Sequence, residues 1–343
     1  MRKYLGLTTI LGSFFTCTGP ALAKEPVTLK VGDYMVANHY IVEAGLKPWM
    51  DEISAGTRGE VKFQYYPAQQ LGKAGDLLRL TQANVAQVAS LFSIHAGDKL
   101  ELSGVGDLPG LFTTSCQGTK AFMAAARSGP IAERDFKANG VHLLYAFVFR
   151  PYQLFSLHKP IRSVADVKGM KTMVPGRAAE MMFNNASAVS MKLISGPDTY
   201  QSAQKGIIDA FLLNPESLYI YDLQSLTKYA TRNGNFGQLV SLYLVNEKVW
   251  NGFDDATKAL ITAASERAAM RTCKAIDDGY EKAFERMRAD KIDIVNLSPD
   301  AQREFRNLAD QAVAEWAKGL ESRGRPAKQV LELIRRATPP GDQ

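Results

Sequence analysis

Cysteine is scarce in this chain, with three in 343 residues and no C-x-x-C spacing. That leaves no thioredoxin-like redox pair and no thiolate zinc knuckle. The four histidines, His39, His95, His142 and His158, stand far apart, and none is spaced with Cys, Asp or Glu as a metal set requires. G-x-S-x-G, H-E-x-x-H and P-loop patterns are also absent. Gly104-Val105-Gly106 with Gly110 is no dinucleotide fingerprint, because the third glycine is misplaced and no helix is expected to open there. No metal, no cofactor and no enzymatic activity are therefore expected. Beyond the N-terminus no apolar run approaches the roughly 20 residues of a membrane-spanning helix. The formal charge of +6 is mild and spread out rather than gathered in a basic stripe, which argues against a nucleic-acid partner.

The N-terminus is informative. Arg2 and Lys3 precede a mostly apolar stretch from Tyr4 to Thr16, and Ala21-Leu22-Ala23 has the A-x-A form of an export cleavage site. Residues 1–23 thus read as a signal peptide, and the mature chain is expected in the periplasm. Two cysteines remain after cleavage, Cys116 and Cys273; an even pair in an oxidising compartment suggests a disulfide, with two separately buried thiols as the alternative. The mature chain is long enough and, with 46% hydrophobic residues in the whole sequence, apolar enough to build two domains.

Strand and helix signals alternate along it. Val27–Gly32, Val61–Tyr66 and Val85–Leu91 read as strands, with helices from Asn38 and around Leu77–Leu80 between them. Gly104, Gly106, Pro109 and Gly110 make Leu100–Phe112 a shaped loop. Val141–Ser156 is a long apolar run broken at Arg150-Pro151, a natural crossing between domains. Glu216–Tyr229 reads as an aromatic-rich helix and Leu239–Val245 as a strand. Asp254 caps a helix that can run through Arg288, which at roughly 35 residues spans about 50 Å and can brace two domains. Strand 292–297 and helices 299–320 and 327–336 close the chain. The expected division is a first lobe of 24–150 plus 239–278 and a second of 151–238 plus 279–343.

The stretch from Lys159 to Pro215 is the most organised. Lys171–Pro175, Val189–Ile194 and Ile207–Leu213 read as strands, separated by a helix over Arg177–Ala186 and one capped by Asp198 and ending at Gly206. This is a parallel α/β layout, in which ligands sit beyond the carboxyl ends of the strands. Those ends are Pro175-Gly176-Arg177 and Asn214-Pro215.

The same stretch resembles a known family. Lys159-Pro160-Ile161, Ser163 through Lys171, Val174-Pro175-Gly176 and Asp198 through Ala210 with Asn214-Pro215 look like the signature of the DctP-type solute receptors of TRAP transporters. Tyr66-Pro67, Gln70-Leu71-Gly72 and Lys228 to Thr231 support it. The resemblance implies a two-lobed α/β periplasmic-binding-protein fold with a hinge and a long helix bracing both lobes. It also implies a small-molecule ligand, handed to the membrane subunits of a TRAP permease. A receptor that presents its ligand to a signalling partner is the alternative.

One departure stands out. The family usually carries an arginine two residues before the strand's proline, where it forks onto a carboxylate; here that residue is Met173, and a thioether cannot do this. Tyr34, Leu91 and Phe92 fall at other pocket positions, so the solute is expected to carry an apolar or aromatic portion. A shift of one or two residues in register would make these core instead. Arg150 and Arg177 are candidate substitutes for the missing arginine, with Gly176, Tyr152, Gln153 and Asn214 as further rim residues.

Overall fold

The computed structural model describes residues 26–192 and 196–338; the segment read as a signal peptide lies outside them. Among these residues the strands form two sheets. The first has the order β2 (Val61–Tyr66), β1 (Val27–Asp33), β3 (Val88–Phe92), β10 (Val240–Asn246), β4 (Val141–Val148). β1 is parallel to β2 and β3, because α1 (Lys47–Gly56) and α2 (Leu77–Gln82) carry the chain back between them. β10 returns from the other lobe and pairs antiparallel with β3 and β4. Trp49, Tyr145, Phe147 and Tyr243 are fully buried around this sheet, and the Trp49 indole donates to Ser265 at 3.0 Å.

The second sheet runs β11 (Asp293–Asn296), β9 (Tyr229–Arg232), β5 (Gln153–Ser156), β8 (Ala210–Leu213), β6 (Lys171–Val174), β7 (Val189–Lys192). β6 is parallel to both β7 and β8, as the strand-helix alternation predicts. α4 (Gly176–Asn185) and α5 (Gly196–Gln204) make the crossovers. Residues 193–195, which include the end of the predicted strand 189–194, lie outside the described residues. α5 starts at Gly196, so Asp198 sits in its first turn rather than at its cap.

The segment 216–229 is not a helix. Short 3-10 turns at Pro215–Leu218 and Leu223–Ser225 lead into β9, a strand the sequence reading missed. Asp222 between the turns has φ +56°, a left-handed conformation that no helix accommodates. The Leu100–Phe112 loop contains a 3-10 stretch, Leu102–Asp107, held by Asp135, which accepts from both the backbone and hydroxyl of Ser103.

Four connections join the lobes, the last of them the turn at residues 322–326. Phe149 and Tyr152 flank the first and donate backbone hydrogen bonds to Leu239 and Gly237 of the second, at 2.9 and 2.8 Å. The third follows α6 (Glu247–Asn251): it is α7 (Asp255–Ala289), 35 residues long, capped by Asp254, which accepts from Thr257. Its first half packs on α1, α3 (Ser115–Ala126) and β4, and its second half on the Pro215–Leu218 turn and β11. Cys273 of α7 is bonded to Cys116 of α3. The chain's end departs from the expected division. α8 (Pro299–Glu321) packs on α4 of the second lobe, but α9 (Ala327–Ala337) returns to α3 of the first. The reason is the strongly one-sided apolar face of α9: Val330, Leu331 and Ile334 are buried there.

Candidate functional site

Between the lobes, the segments just beyond the strand ends supply a cluster of aromatic side chains. Tyr34 follows β1, Phe92 closes β3, and Phe149 and Tyr152 flank the crossing. Tyr34 lies 4.5 Å from Phe92 and 5.5 Å from His95 between ring centres, and Phe92 lies 5.9 Å from Phe149, which in turn lies 6.2 Å from Tyr152. Asp33 sets up the Tyr34 turn: its carboxylate accepts from the Met35 backbone at 2.9 Å and from the Tyr65 hydroxyl at 3.0 Å. Burial pushes Asp33 up to about 6.

Two polar atoms in this cluster are enclosed without a hydrogen bond. The Tyr34 hydroxyl sits beside Ser241 of β10 but forms no bond of good geometry with it, and His95 Nδ1 has no hydrogen-bond partner among the described residues. Burial holds His95 at about 4, so it is neutral. Leaving a buried donor or acceptor unpaired costs about 1–3 kcal/mol. Each such group leaves a donor or acceptor open to a further partner.

The polar end of the cleft crosses between lobes. Asn214, the residue after β8, has its amide nitrogen 2.9 Å from Ser217 Oγ, 3.2 Å from Glu216 Oε2 and 3.3 Å from the Tyr40 hydroxyl of the first lobe. His39 stacks on Tyr40, with 4.8 Å between rings. Tyr221, from the irregular 216–229 segment, stands near Tyr34, Tyr40 and Tyr152. Arg150 lies over the Tyr280 ring at 3.9 Å and pairs with Asp277 at 3.6 Å. Asp277 also accepts the backbone N–H groups of Ser115 and Cys116 at the start of α3.

Residues 32–319 match the description of DctP, the bacterial extracellular solute-binding proteins of family 7. The chain belongs to this family. It is similar to the outer membrane transporter protein TsaT of Comamonas testosteroni, with 24% identity over 333 residues, 93% of this chain and 96% of that one. In structure it is similar to a marine metagenome TRAP solute-binding protein specific for aromatic acid ligands, in complex with 3-hydroxybenzoate. There the TM-score is 0.83 at 21% identity, covering 92% of this chain and 98% of the other. A TRAP solute-binding protein from Rhodoferax ferrireducens with copurified benzoate gives 0.82 at 20% identity, covering 91% and 97%. The DctP family is extracellular, and no helix among the described residues is long and apolar enough to cross a membrane.

In this DctP receptor the residues singled out from sequence fall in different places. Tyr34, Phe92 and Asn214 join the cleft cluster, together with Tyr152. Arg150 borders it but is committed to Asp277 and Tyr280. Gly176 and Arg177 line a groove of about 610 Å³ between the 93–107 segment of the first lobe and α4 and α8 of the second. Gly176 has φ +69°, and a Cβ there would stand 3.0 Å from Ile94 Cγ2, so glycine lets the lobes meet at the mouth. Arg177 is exposed on that wall.

Three of the sequence expectations are corrected. Leu91 is fully buried, and because strand side chains alternate it faces away from Phe92 into the core. Met173 packs in the second lobe's core with Phe155 and Phe211, and its sulfur accepts from the Thr199 hydroxyl at 3.1 Å. Gln153 has no capacity left for a ligand. Its Nε2 donates to the Pro151 and Gly234 carbonyls at 3.2 and 2.8 Å, and its Oε1 accepts from Gly234 and Thr231 at 3.0 and 3.3 Å.

The sequence reading missed Tyr40, His95, Phe149, Glu216 and Tyr221. Their shared signal is position: aromatic or polar residues on the irregular steps just past strand ends, where a parallel sheet opens. Replacing Asn214 by Ala removes the bridge to Tyr40. The expected outcome is a loss of about 1 kcal/mol in stability and on the order of 10-fold in solute affinity, read by thermal unfolding and calorimetry.

Proposed function

We propose that this protein is the periplasmic receptor of a TRAP transporter whose solute is a small aromatic carboxylic acid, delivered to membrane permease subunits. Residues 1–23 serve as its export signal, and its role is binding rather than catalysis. The observation that carries the reading is the aromatic cluster of Tyr34, Phe92, Phe149 and Tyr152, with the unpaired Tyr34 hydroxyl and His95 Nδ1 at its edge. These rings, packed on one another at 4.5–6.2 Å, present an aromatic surface on which a planar ring can pack. The solute's ring lies against these side chains, and its carboxylate points to Asn214 and Tyr40. Neutral hydroxyl and amide donors take over the part usually played by the family arginine. The aromatic acids bound by two of the structural relatives agree with this.

The test is a thermal-shift series with benzoate, 3-hydroxybenzoate and a sugar acid such as glucuronate. Solute at about 1,000 times its dissociation constant stabilises the folded receptor by about 4 kcal/mol, which raises the melting temperature by several degrees. The aromatic acids are expected to produce this shift and the sugar acid none. Small-angle scattering should show a smaller radius of gyration with benzoate, since closing on a ligand is a hinge motion. A shift with glucuronate alone refutes the aromatic assignment.

A further inference from the structure

Glu216 is a partly buried acid with one carboxyl oxygen enclosed. It follows Asn214-Pro215 in the short turn at the second lobe's rim. Its Oε2 accepts from Asn214 at 3.2 Å, while its Oε1 is enclosed and has no hydrogen-bond partner among the described residues. The stem rests on α7 at Gly279, where a Cβ would come within 3.1 Å of Glu216 Cγ and 3.9 Å of Oε1. Glycine inside a long helix is unfavourable. Here it makes the seat into which the carboxyl fits.

The groups that face Glu216 come from every side of the cleft. Tyr40 reaches it from the first lobe, Arg150 and Tyr152 from the crossing segment, and Asp277 and Tyr280 from α7. Arg150 and Asp277 neutralise each other. The fixed charge around the polar end therefore sums to one negative when Glu216 is ionised and to zero when it is protonated. A carboxylate solute entering beside an ionised Glu216 meets like charge in a desolvated space.

We propose that Glu216 is a specificity-determining acid of the cleft: the lobes close on the solute's carboxylate with Glu216 neutral, so each anion is taken up with one proton. The inference rests on the aromatic-acid reading above. The proton comes from solvent, resides on a Glu216 carboxyl oxygen while the lobes are closed, and returns to solvent on release. No other bond changes.

The direction of the pH effect follows. In this structure, where Asn214 of the second lobe meets Tyr40 of the first, burial raises Glu216 from its usual 4.5 to about 7, against the opposing pull of the Asn214 hydrogen bond and Arg150. With the lobes apart the carboxyl meets water and returns towards its ordinary value. Between those limits closing binds a proton, so affinity is highest in acid and falls as pH rises towards 7. Asp33, Asp107 and Asp135 are also raised by burial, to about 6, about 7 and about 6, and Asp107 lines the groove between the lobes. Substituting Glu216 alone separates its contribution from theirs.

Benzoate is titrated calorimetrically into wild type and Glu216→Gln at pH 5, 6 and 8, each in two buffers of different ionisation enthalpy. Wild-type affinity is expected to fall on the order of 10- to 100-fold from pH 5 to pH 8, with close to one proton taken up per benzoate at pH 6. Glu216→Gln is expected to be flat with pH and to bind on the order of 10-fold tighter than wild type at pH 8. Wild-type binding that is flat with pH, or a variant that keeps the slope, overturns the inference and leaves the aromatic-acid reading standing. Proton uptake in wild type is read without any variant, so a misfolded Glu216→Gln does not blunt the test. No binding of benzoate at any pH overturns both.

Discussion

Replacing Cys116 and Cys273 together by serine is expected to lower the unfolding free energy by about 4–5 kcal/mol. The bond closes a loop with a sequence separation of 157 residues, which runs from α3 of the first lobe to the bracing helix α7. Loop-closure entropy grows with the logarithm of loop length, so a loop of this size lies near the upper end of what one disulfide contributes. The loop holds the strands of the second sheet except β11. The cross-link therefore confines most of one lobe in the unfolded ensemble. It also holds the start of α3 against α7 at the point where Asp277 receives the Ser115 and Cys116 N–H groups. Urea unfolding of the double variant, and of wild type with reductant, measures the effect. A change below about 1 kcal/mol would show that residual structure already restrains the unfolded chain.

Gln153→Leu is expected to destabilise by about 3 kcal/mol or more and to weaken solute binding with it. The side chain is 1% exposed, and its amide makes the four bonds that hold Pro151, Thr231 and Gly234 together at the hinge. Leucine has a similar volume but leaves those groups buried and unpaired, at about 1–3 kcal/mol for each one left unsatisfied. The two crossing segments would then be joined mainly by the backbone bonds at Phe149 and Tyr152. A looser hinge populates more open forms, and apparent affinity falls in proportion to the closed fraction lost. Chemical denaturation and benzoate calorimetry read the two effects separately. Unchanged stability would mean that the hinge amide is solvated rather than enclosed.

The polar groups of the chain illustrate how differently local pattern and tertiary position behave. Asp254, Ser298 and Thr114 each begin a helix and accept a backbone N–H, as residues of those types do in short-range capping. Gln153, Asn214 and Glu216 carry no such local signature. Beside local bonds to Pro151, Ser217 and each other, they meet partners 81, 174 and 63 residues away, at Gly234, Tyr40 and Gly279. The aromatic-rich run 216–229 shows the same limit. Its composition suits a helix, but the left-handed Asp222 and the approach of Tyr221 to Tyr34 and Tyr152 keep it irregular.

By itself the sequence determined the two-lobed α/β layout, the parallel order of β6, β7 and β8, the bracing helix and the family. The layout and the helix follow from residue periods, caps and turn residues, all of which act over a few positions, and the family from the resemblance of its motifs. Only the tertiary structure decided which rim residues share a space. Leu91 and Phe92 are neighbours in the chain, yet one enters the core and the other the cleft, because a strand turns alternate side chains to opposite faces. Tyr34, Phe149, Asn214 and Glu216 are far apart in the chain, yet they meet because two sheets and one long helix bring their strand ends to a common cleft.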